Sequence, residues 1–171
     1  MKFFYYIFVL FQCAYNEINY NYKINFMINS FLRNLDSIGE YLSYPLIRFI
    51  TGILLIPHGY GKLYKGFNGN LDSLINFLDK EYSNHVVTGV FLAYLIALTE
   101  FIGGICIALG FFTRIAALSV TIFMAFAVEQ HLEHGFFWRQ DGYEYPLMWG
   151  ILTFAILLKG SGSLSIDNKF R

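Results

Sequence analysis

The chain has 171 residues, of which 56% are hydrophobic and 20% aromatic, while only 14% are charged. Soluble domains contain about 45–50% apolar and about 25% charged residues, so this composition favours burial in lipid. Lys plus Arg (12) balance Asp plus Glu (12), and a zero net charge argues against nucleic acid as a partner. Cys13 and Cys106 lie far apart without a C-x-x-C motif, which argues against a disulfide framework.

Residues 1–26 are predicted to form an N-terminal extension outside the main domain. The apolar run from Phe3 to Phe11 is signal-like in length and too short to span a bilayer. Closely spaced asparagines follow, which are typical of a linker. Met27 is an alternative start, in which case the extension is not translated, and both interpretations stay open at this point.

Residues 27–43 predict a short amphipathic helix at the membrane surface. Phe31, Leu35, Ile38 and Leu42 recur at helical spacing, with charged residues between them. The main membrane domain is then expected to cover residues 44–171.

Four apolar segments predict an all-α fold, a bundle of four transmembrane helices. They cover about residues 44–64, 86–112, 115–132 and 143–158. The second segment is long enough to cross about 30 Å of hydrocarbon at about 1.5 Å per residue. The third and fourth have shorter apolar cores, so buried helices of a soluble protein are the alternative. Aromatic residues and a lysine at their ends favour the membrane.

The basic residues predict the orientation of this bundle. Four spans would place the two termini on one side, together with eight Lys and Arg residues, against four on the other side. By the positive-inside rule, both termini are predicted to be cytoplasmic.

Ionisable residues inside the spans are costly in hydrocarbon and therefore informative. Arg48, His58 and Lys62 share one stripe of the first span, and Glu100 lies on a face of small residues in the second. Such a face predicts close packing of another helix. We predict an ion pair between Arg48 and Glu100, with either a structural role or a role in proton or ligand binding.

Polar groups at the exterior ends of the spans predict a shared pocket with aromatic walls. It would suit an amphipathic ring with carbonyl or phenol oxygens, although for each aromatic residue an interfacial belt is the alternative. The residues predicted to bind a cofactor there are His58, Tyr60, Glu144 and Tyr145.

The segment from Glu129 to His134 contains two carboxylates and two imidazoles, which are suitable metal ligands. On a continuous helix, however, the two histidines point away from the two glutamates, so we predict no metal site. Interfacial hydration, or hydrogen bonding in a pocket with His58 and Lys62, are the alternatives.

Short motifs at the helix ends resemble those of the DoxX family of small four-helix membrane proteins. The resemblance runs from Pro45 to Asp167, whereas residues 1–26 have no counterpart and His134 stands where many members have Asn. The matching motifs are Arg48-x-x-x-Gly52, Pro57-His58-Gly59-x-x-Lys62-Leu63, Glu100-x-x-Gly103-Gly104, Gly110-x-x-Thr113-Arg114, His131, Gly135-Phe136-Phe137 and Gly142-Tyr143-Glu144-Tyr145.

The resemblance implies a multi-pass protein of the bacterial inner membrane. Some members of the family are membrane subunits of thiosulfate:quinone oxidoreductases. Others belong to a membrane complex with a superoxide dismutase and a sulfurtransferase, and many are named oxidoreductases with no assigned substrate.

These observations lead to a first hypothesis, an oxidoreductase subunit that binds quinone and passes electrons from a partner into the quinone pool. His58 with Glu129 or His131 would deliver protons, and Lys62 would stabilise a developing anion. The sequence has no nucleotide-binding fingerprint, cysteine pair or haem-ligand set, so any redox centre would come from a partner or be the quinone itself.

The expected partners are membrane lipid and either a redox protein or further copies of this chain. The alternative hypothesis is a non-enzymatic membrane scaffold or a small-molecule transporter, in which the polar stripe lines a path or seats another helix.

Overall fold

The computed structural model describes residues 2–82 and 87–170, and every regular element in these ranges is helical. Two short 3-10 helices, Leu132–His134 and Trp138–Gln140, lie between the fourth and fifth α-helices. The α-helices are α1 (Lys2–Phe67), α2 (Asp72–Glu81), α3 (Gly89–Leu109), α4 (Thr113–His131), α5 (Glu144–Lys159) and α6 (Ile166–Lys169).

The chain divides into two compact units, residues 1–43 and residues 44–171. Within the first unit, residues 2–43 are helical throughout and belong to α1. The asparagine-rich stretch is thus helical, and residues 27–43 are part of the same helix. The roles predicted for residues 1–26 and 27–43 stay predictions. No proline occurs between residues 2 and 44, so no backbone donor of the helical ladder is lost there. The side chains at the apolar positions of residues 31–42 are exposed, and their membrane contact stays a prediction.

In the second unit the predicted apolar segments correspond to helices with well-defined ends. The Thr88 hydroxyl accepts a hydrogen bond from the Phe91 N–H at 3.2 Å, which caps the start of α3. Gly110 ends α3 in the left-handed conformation, with φ of 70°, which costs glycine little. The sequence prediction missed α2, because it included no helix between the apolar segments 44–64 and 86–112.

Two stretches of the described chain are long and apolar enough to cross a membrane. They are Gly89–Leu109, with mean hydropathy 2.2, and Thr113–His134, with mean hydropathy 1.6. Helix α5 has 16 residues, or about 24 Å, and the second half of α1 includes Arg48 and Lys62. The all-α fold is confirmed, while the four-span arrangement and the cytoplasmic termini stay predictions.

Close packing against the small-residue face of α3, predicted from its sequence, is confirmed. A Cβ atom on Gly52 would collide with the backbone of Gly104 and Ala108, and one on Gly59 with the backbone of Ala97 and Phe101. Only glycine allows the two helix backbones to approach so closely. This contact fixes the register of the second half of α1 against α3.

Apolar side chains from four helices form the main core of the second unit. Leu55, Ile107, Val120 and Ile156 are almost completely buried together. A smaller cluster, Leu71, Leu78 and Ala93, joins α2 to α3.

Candidate functional site

A buried carboxylate and a partly exposed ammonium meet between α1 and α3. Lys62 Nζ lies 2.5 Å from Glu100 Oε2, and the side chain of Glu100 is 5% exposed while that of Lys62 is 29% exposed. A lone carboxylate at this depth would be costly, so Lys62 supplies its counter-charge. The Lys62 ammonium therefore remains partly accessible from outside the ion pair.

The predicted ion pair between Arg48 and Glu100 is wrong, because the register of α1 against α3 separates them. Glu100 lies between the residues that contact Gly59, and Arg48 lies 11 residues before Gly59, about 16 Å along the helix. Lys62 lies one turn after Gly59. Since helical side chains lean toward the N-terminus, Lys62 reaches back to Glu100.

Arg48 instead binds backbone carbonyls near the C-terminal end of the chain. It is 3% exposed, and its guanidinium donates to the carbonyls of Ser161, Leu164 (2.6 Å) and Ala108 (3.4 Å). Its Nε atom is buried with no hydrogen-bond partner. Arg48 therefore holds the chain that follows α5 against α1 and α3.

Asp167 makes a second connection in this region, to the turn between α3 and α4. Its carboxylate accepts from the N–H groups of Phe112 at 2.9 Å and Thr113 at 3.0 Å, and from the Thr113 hydroxyl at 2.8 Å. It thus satisfies donors at the start of α4, where a helix favours negative charge. The Arg48 region, defined as Arg48, Asp167 and residues 160–166, is a structural connection.

A cavity of about 800 Å³ opens beside Lys62, between α2, α3 and α4. This volume falls within the range of small-molecule sites, which are mostly apolar with a few polar groups. Its apolar walls come from Leu74, Phe77, Leu78, Val87, Leu92, Leu95, Ile96, Ile122, Phe123, Phe126 and Ala127, and its polar groups are those of Lys62, Tyr82, Thr99, Ser119, Gln130 and His131. We call this space the Lys62 cavity.

His131 presents a defined tautomer at the wall of the Lys62 cavity. Its Nδ1 lies 2.7 Å from the carbonyl oxygen of Ala127. Because a carbonyl can only accept, Nδ1 carries the proton, and Nε2 of the neutral ring is an acceptor. His131 can therefore take a proton at Nε2 and donate it again.

Tyr82 and Gln130 connect the end of α2 to the end of α4 at the same cavity. The side-chain amide of Gln130 donates to the Tyr82 hydroxyl oxygen. Burial, and then the carboxylate of Glu129, raise the pKa of the Tyr82 phenol above its ordinary value. The phenol therefore stays neutral near pH 7 and keeps a proton to donate.

The DoxX family model matches residues 44–134, slightly more than half of the chain. The chain belongs to the DoxX family. It is 27% identical over 122 residues to a Bacillus subtilis protein named "Putative oxidoreductase CatD", covering 71% of this chain and 82% of the relative. It is 25% identical over 142 residues to an uncharacterized protein of Haemophilus influenzae, covering 80% of this chain and 98% of the relative. No solved structure gives a significant match.

In this DoxX protein, two of the four predicted catalytic residues line the Lys62 cavity. These are Lys62 and His131, whereas His58 and Glu129 are exposed and are not among its lining residues. His58 lies four residues before Lys62 on α1, about 6 Å farther along the helix axis, and its side chain is exposed. The prediction that all four share one pocket is therefore wrong.

The other residues predicted to bind a cofactor also lie outside the Lys62 cavity. Tyr60 is exposed, with its ring centre 6.4 Å from that of Phe101. Glu144 accepts from the Trp138 N–H at 3.2 Å and orders the loop before α5, where Tyr145 lies against the Trp138 ring. These three residues do not form a common pocket with Lys62.

Several residues of the Lys62 cavity were missed because α2 was missed. Leu71, Leu74, Ile75 and Leu78 recur at helical spacing, with an acidic first turn at Asp72, and this pattern could have predicted α2. Tyr82 is the residue directly after α2, so predicting α2 would also have placed Tyr82. Gln130 and Phe123 carried no recognisable signal in the sequence.

The described residues contain no group of three or more His, Cys, Asp or Glu side chains that could hold a metal ion. Helix α4 ends at His131, and the rings of His131 and His134 are 6.3 Å apart. The two histidines are thus neighbours at the end of α4.

Proposed function

We propose that this DoxX-family membrane protein is a quinone-binding subunit of an oxidoreductase. The observation that carries the proposal is the Lys62 cavity, a large apolar space in which one ammonium group is held by a buried carboxylate. The name of the Bacillus subtilis relative agrees with a role in redox chemistry. We further propose that the protein resides in the bacterial inner membrane.

The walls of the cavity support an aromatic or quinonoid ligand. Phe77, Phe123 and Phe126 provide flat apolar surfaces, and Lys62 Nζ lies 5.9 Å from the centre of the Phe123 ring. A ring between such walls gains packing energy, while a few polar groups fix its orientation. A quinone presents a flat ring with a carbonyl oxygen at each end.

Two polar groups would assist the reduction of a quinone. Full reduction of a quinone takes two electrons and two protons, and negative charge develops on the quinone oxygens until the protons arrive. The ammonium of Lys62 would stabilise this charge, and both protons would come from water, one of them by way of His131 Nε2. The electrons would come from the redox centre of a partner protein, since the quinone itself is the acceptor.

The decisive experiment measures quinone binding to the full chain in nanodiscs. Leu95 lines the cavity, so Leu95→Trp fills it, whereas Leu109 is exposed on the same helix and lines no described cavity. We expect the unmodified protein and Leu109→Trp to retain quinone stoichiometrically and Leu95→Trp to lose it. Mass spectrometry of retained small molecules reads out the result.

Two outcomes would overturn the proposal. If only bulk lipid is retained by every form, the non-enzymatic scaffold or transporter becomes the better explanation. If Leu95→Trp retains quinone as well as Leu109→Trp does, the ligand lies elsewhere on the protein.

A further inference from the structure

A second, smaller depression adjoins the Lys62 cavity. Its volume is about 280 Å³, and it lies in the seam between α3 and α4. Thr99 and Ser119 line both spaces, so the two meet at these residues. The remaining lining residues are Leu98, Ile102, Gly103, Cys106, Phe112, Ile115 and Ala116. We call this depression the seam groove.

Two small residues, Gly103 and Ala116, line the seam groove. A Cβ on Gly103 would lie 3.0 Å from the side chain of Val120, so this glycine allows α3 and α4 to pack closely there. The Ser119 hydroxyl donates to the carbonyl of Ile115 at 3.0 Å, so its proton is already engaged within α4. The groove is therefore almost entirely apolar.

The Lys62 cavity and the seam groove together form an elongated space with polarity at one end. Lys62, Tyr82, Gln130 and His131 lie in the first, and none of them lines the second. Helix α4, from Thr113 to His131, has 19 residues and is about 28 Å long. Such a space matches a molecule with a polar head and a long hydrocarbon chain.

We propose that the ligand is a long-chain lipid quinone whose chain lies in the seam groove while its ring occupies the Lys62 cavity. This inference rests on the proposed function and adds the chemical class of the ligand. A hydrocarbon chain that moves from the bilayer into the seam groove gains little from the hydrophobic effect, since the lipid it leaves is equally apolar. The groove instead contributes van der Waals contacts and a preformed path.

The test compares a tail-free dimethoxy-methyl-benzoquinone with its decyl derivative, in phosphatidylcholine nanodiscs. Ile102→Trp places a larger side chain in the seam groove, about 4.5 Å along α3 from Thr99, and Ile102 does not line the Lys62 cavity. Leu109→Trp is the matched control, because Leu109 is equally exposed on the same helix and lines neither space. Each affinity is divided by the partition coefficient of that quinone between lipid and water. This removes the part of the chain-length effect that comes only from enrichment of the quinone in the bilayer.

We expect the decyl quinone to bind the unmodified protein and Leu109→Trp about tenfold more tightly than the tail-free compound. In Ile102→Trp this ratio should fall to about one, while the tail-free compound still binds. A decyl analogue ending in a diazirine should crosslink to the peptide containing Ile102 and Cys106, as mapped by mass spectrometry.

Each other result has a separate meaning. Equal binding of both quinones by the unmodified protein would overturn the seam-groove proposal and leave the quinone-binding proposal standing. A chain effect that survives in Ile102→Trp, with crosslinks to lipid or other helices, would also overturn it. Failure of both quinones to bind would instead refute the proposed function on which this inference rests.

Discussion

Arg48 and Lys62 lie on the same side of α1, 14 residues apart, yet their surroundings differ. Arg48 is almost fully buried and donates to three backbone carbonyls. Lys62 has one carboxylate partner and borders a large cavity. The three carbonyls engage the N–H donors of Arg48 and so hold the chain in place. The single carboxylate partner of Lys62 leaves N–H donors of the ammonium available to a ligand. The comparison separates a structural cation from one suited to a ligand.

The largest expected effect concerns the structural cation. Arg48→Met would leave three carbonyls without their donor, and we expect a loss of about 3 kcal/mol in the free energy of unfolding. Thermal unfolding in detergent measures this loss. Arg139→Met is the control, because Arg139 is exposed in the short 3-10 helix Trp138–Gln140, and its effect should stay within about 0.5 kcal/mol. Equal effects of the two substitutions would contradict a structural role for Arg48.

The next effect distinguishes the two partners of the pair at the cavity. Lys62→Met leaves a buried carboxylate without a counter-charge, whereas Glu100→Met leaves an ammonium that still reaches the cavity. We expect Lys62→Met to lower the free energy of unfolding by about 2 kcal/mol, and Glu100→Met to lower it by clearly less.

The double variant provides the check on this pair. Thermal unfolding of the double variant should recover most of the stability lost by Lys62→Met alone, since no unpaired charge remains. Strictly additive losses would show that the two side chains are not coupled.

A smaller effect is expected at the second connection of the Arg48 region. Asp167→Asn removes the charge that caps the start of α4, and we expect a loss of about 1 kcal/mol. Limited trypsin digestion at Lys159 should become faster as the C-terminal segment detaches more often. Asp141→Asn serves as the control, because Asp141 lies in an exposed loop with φ of 58°, which Asn also tolerates. A similar digestion rate for both variants would refute the capping role.

The smallest effect on stability, and the sharpest on function, concerns two histidines. We expect His131→Phe and His58→Phe each to change the free energy of unfolding by less than about 0.5 kcal/mol. Quinone affinity in nanodiscs should fall several-fold in His131→Phe and stay unchanged in His58→Phe. If His58→Phe weakens quinone binding and His131→Phe does not, the binding site lies near His58, as predicted from the sequence.

The sequence predicted α3, α4 and α5 well because their apolar runs and the small-residue face of α3 are strong local signals. It also placed Lys62 and His131 in one pocket. It failed for Arg48, because both cations lie on the same stripe and only the register against α3 decides which one meets Glu100. Gly52 and Gly59 determine this register, because each lies against the backbone of α3. From the sequence alone, the residues of α3 that lie opposite these two glycines were not known.

The candidate site was predicted less well than the fold, for a related reason. A cavity forms where side chains from several helices fail to fill space, and periodicity along one helix does not indicate this. The short helix α2 supplies one wall, and its ten residues were too weak a signal beside the long apolar runs. Exposed residues such as His58 and Tyr60 were overvalued because their residue types suggested chemistry.

The glycine contacts between α1 and α3 also determine how the charged pair responds to a ligand. Lys62 and Glu100 project from helices whose backbones touch, and backbone contacts adjust far less than side-chain contacts do. The electric field at the cavity wall is therefore set before any ligand enters. Under the proposed function, charge that develops on a bound ring would meet dipoles already oriented toward it, so each electron transfer would require little reorganisation energy.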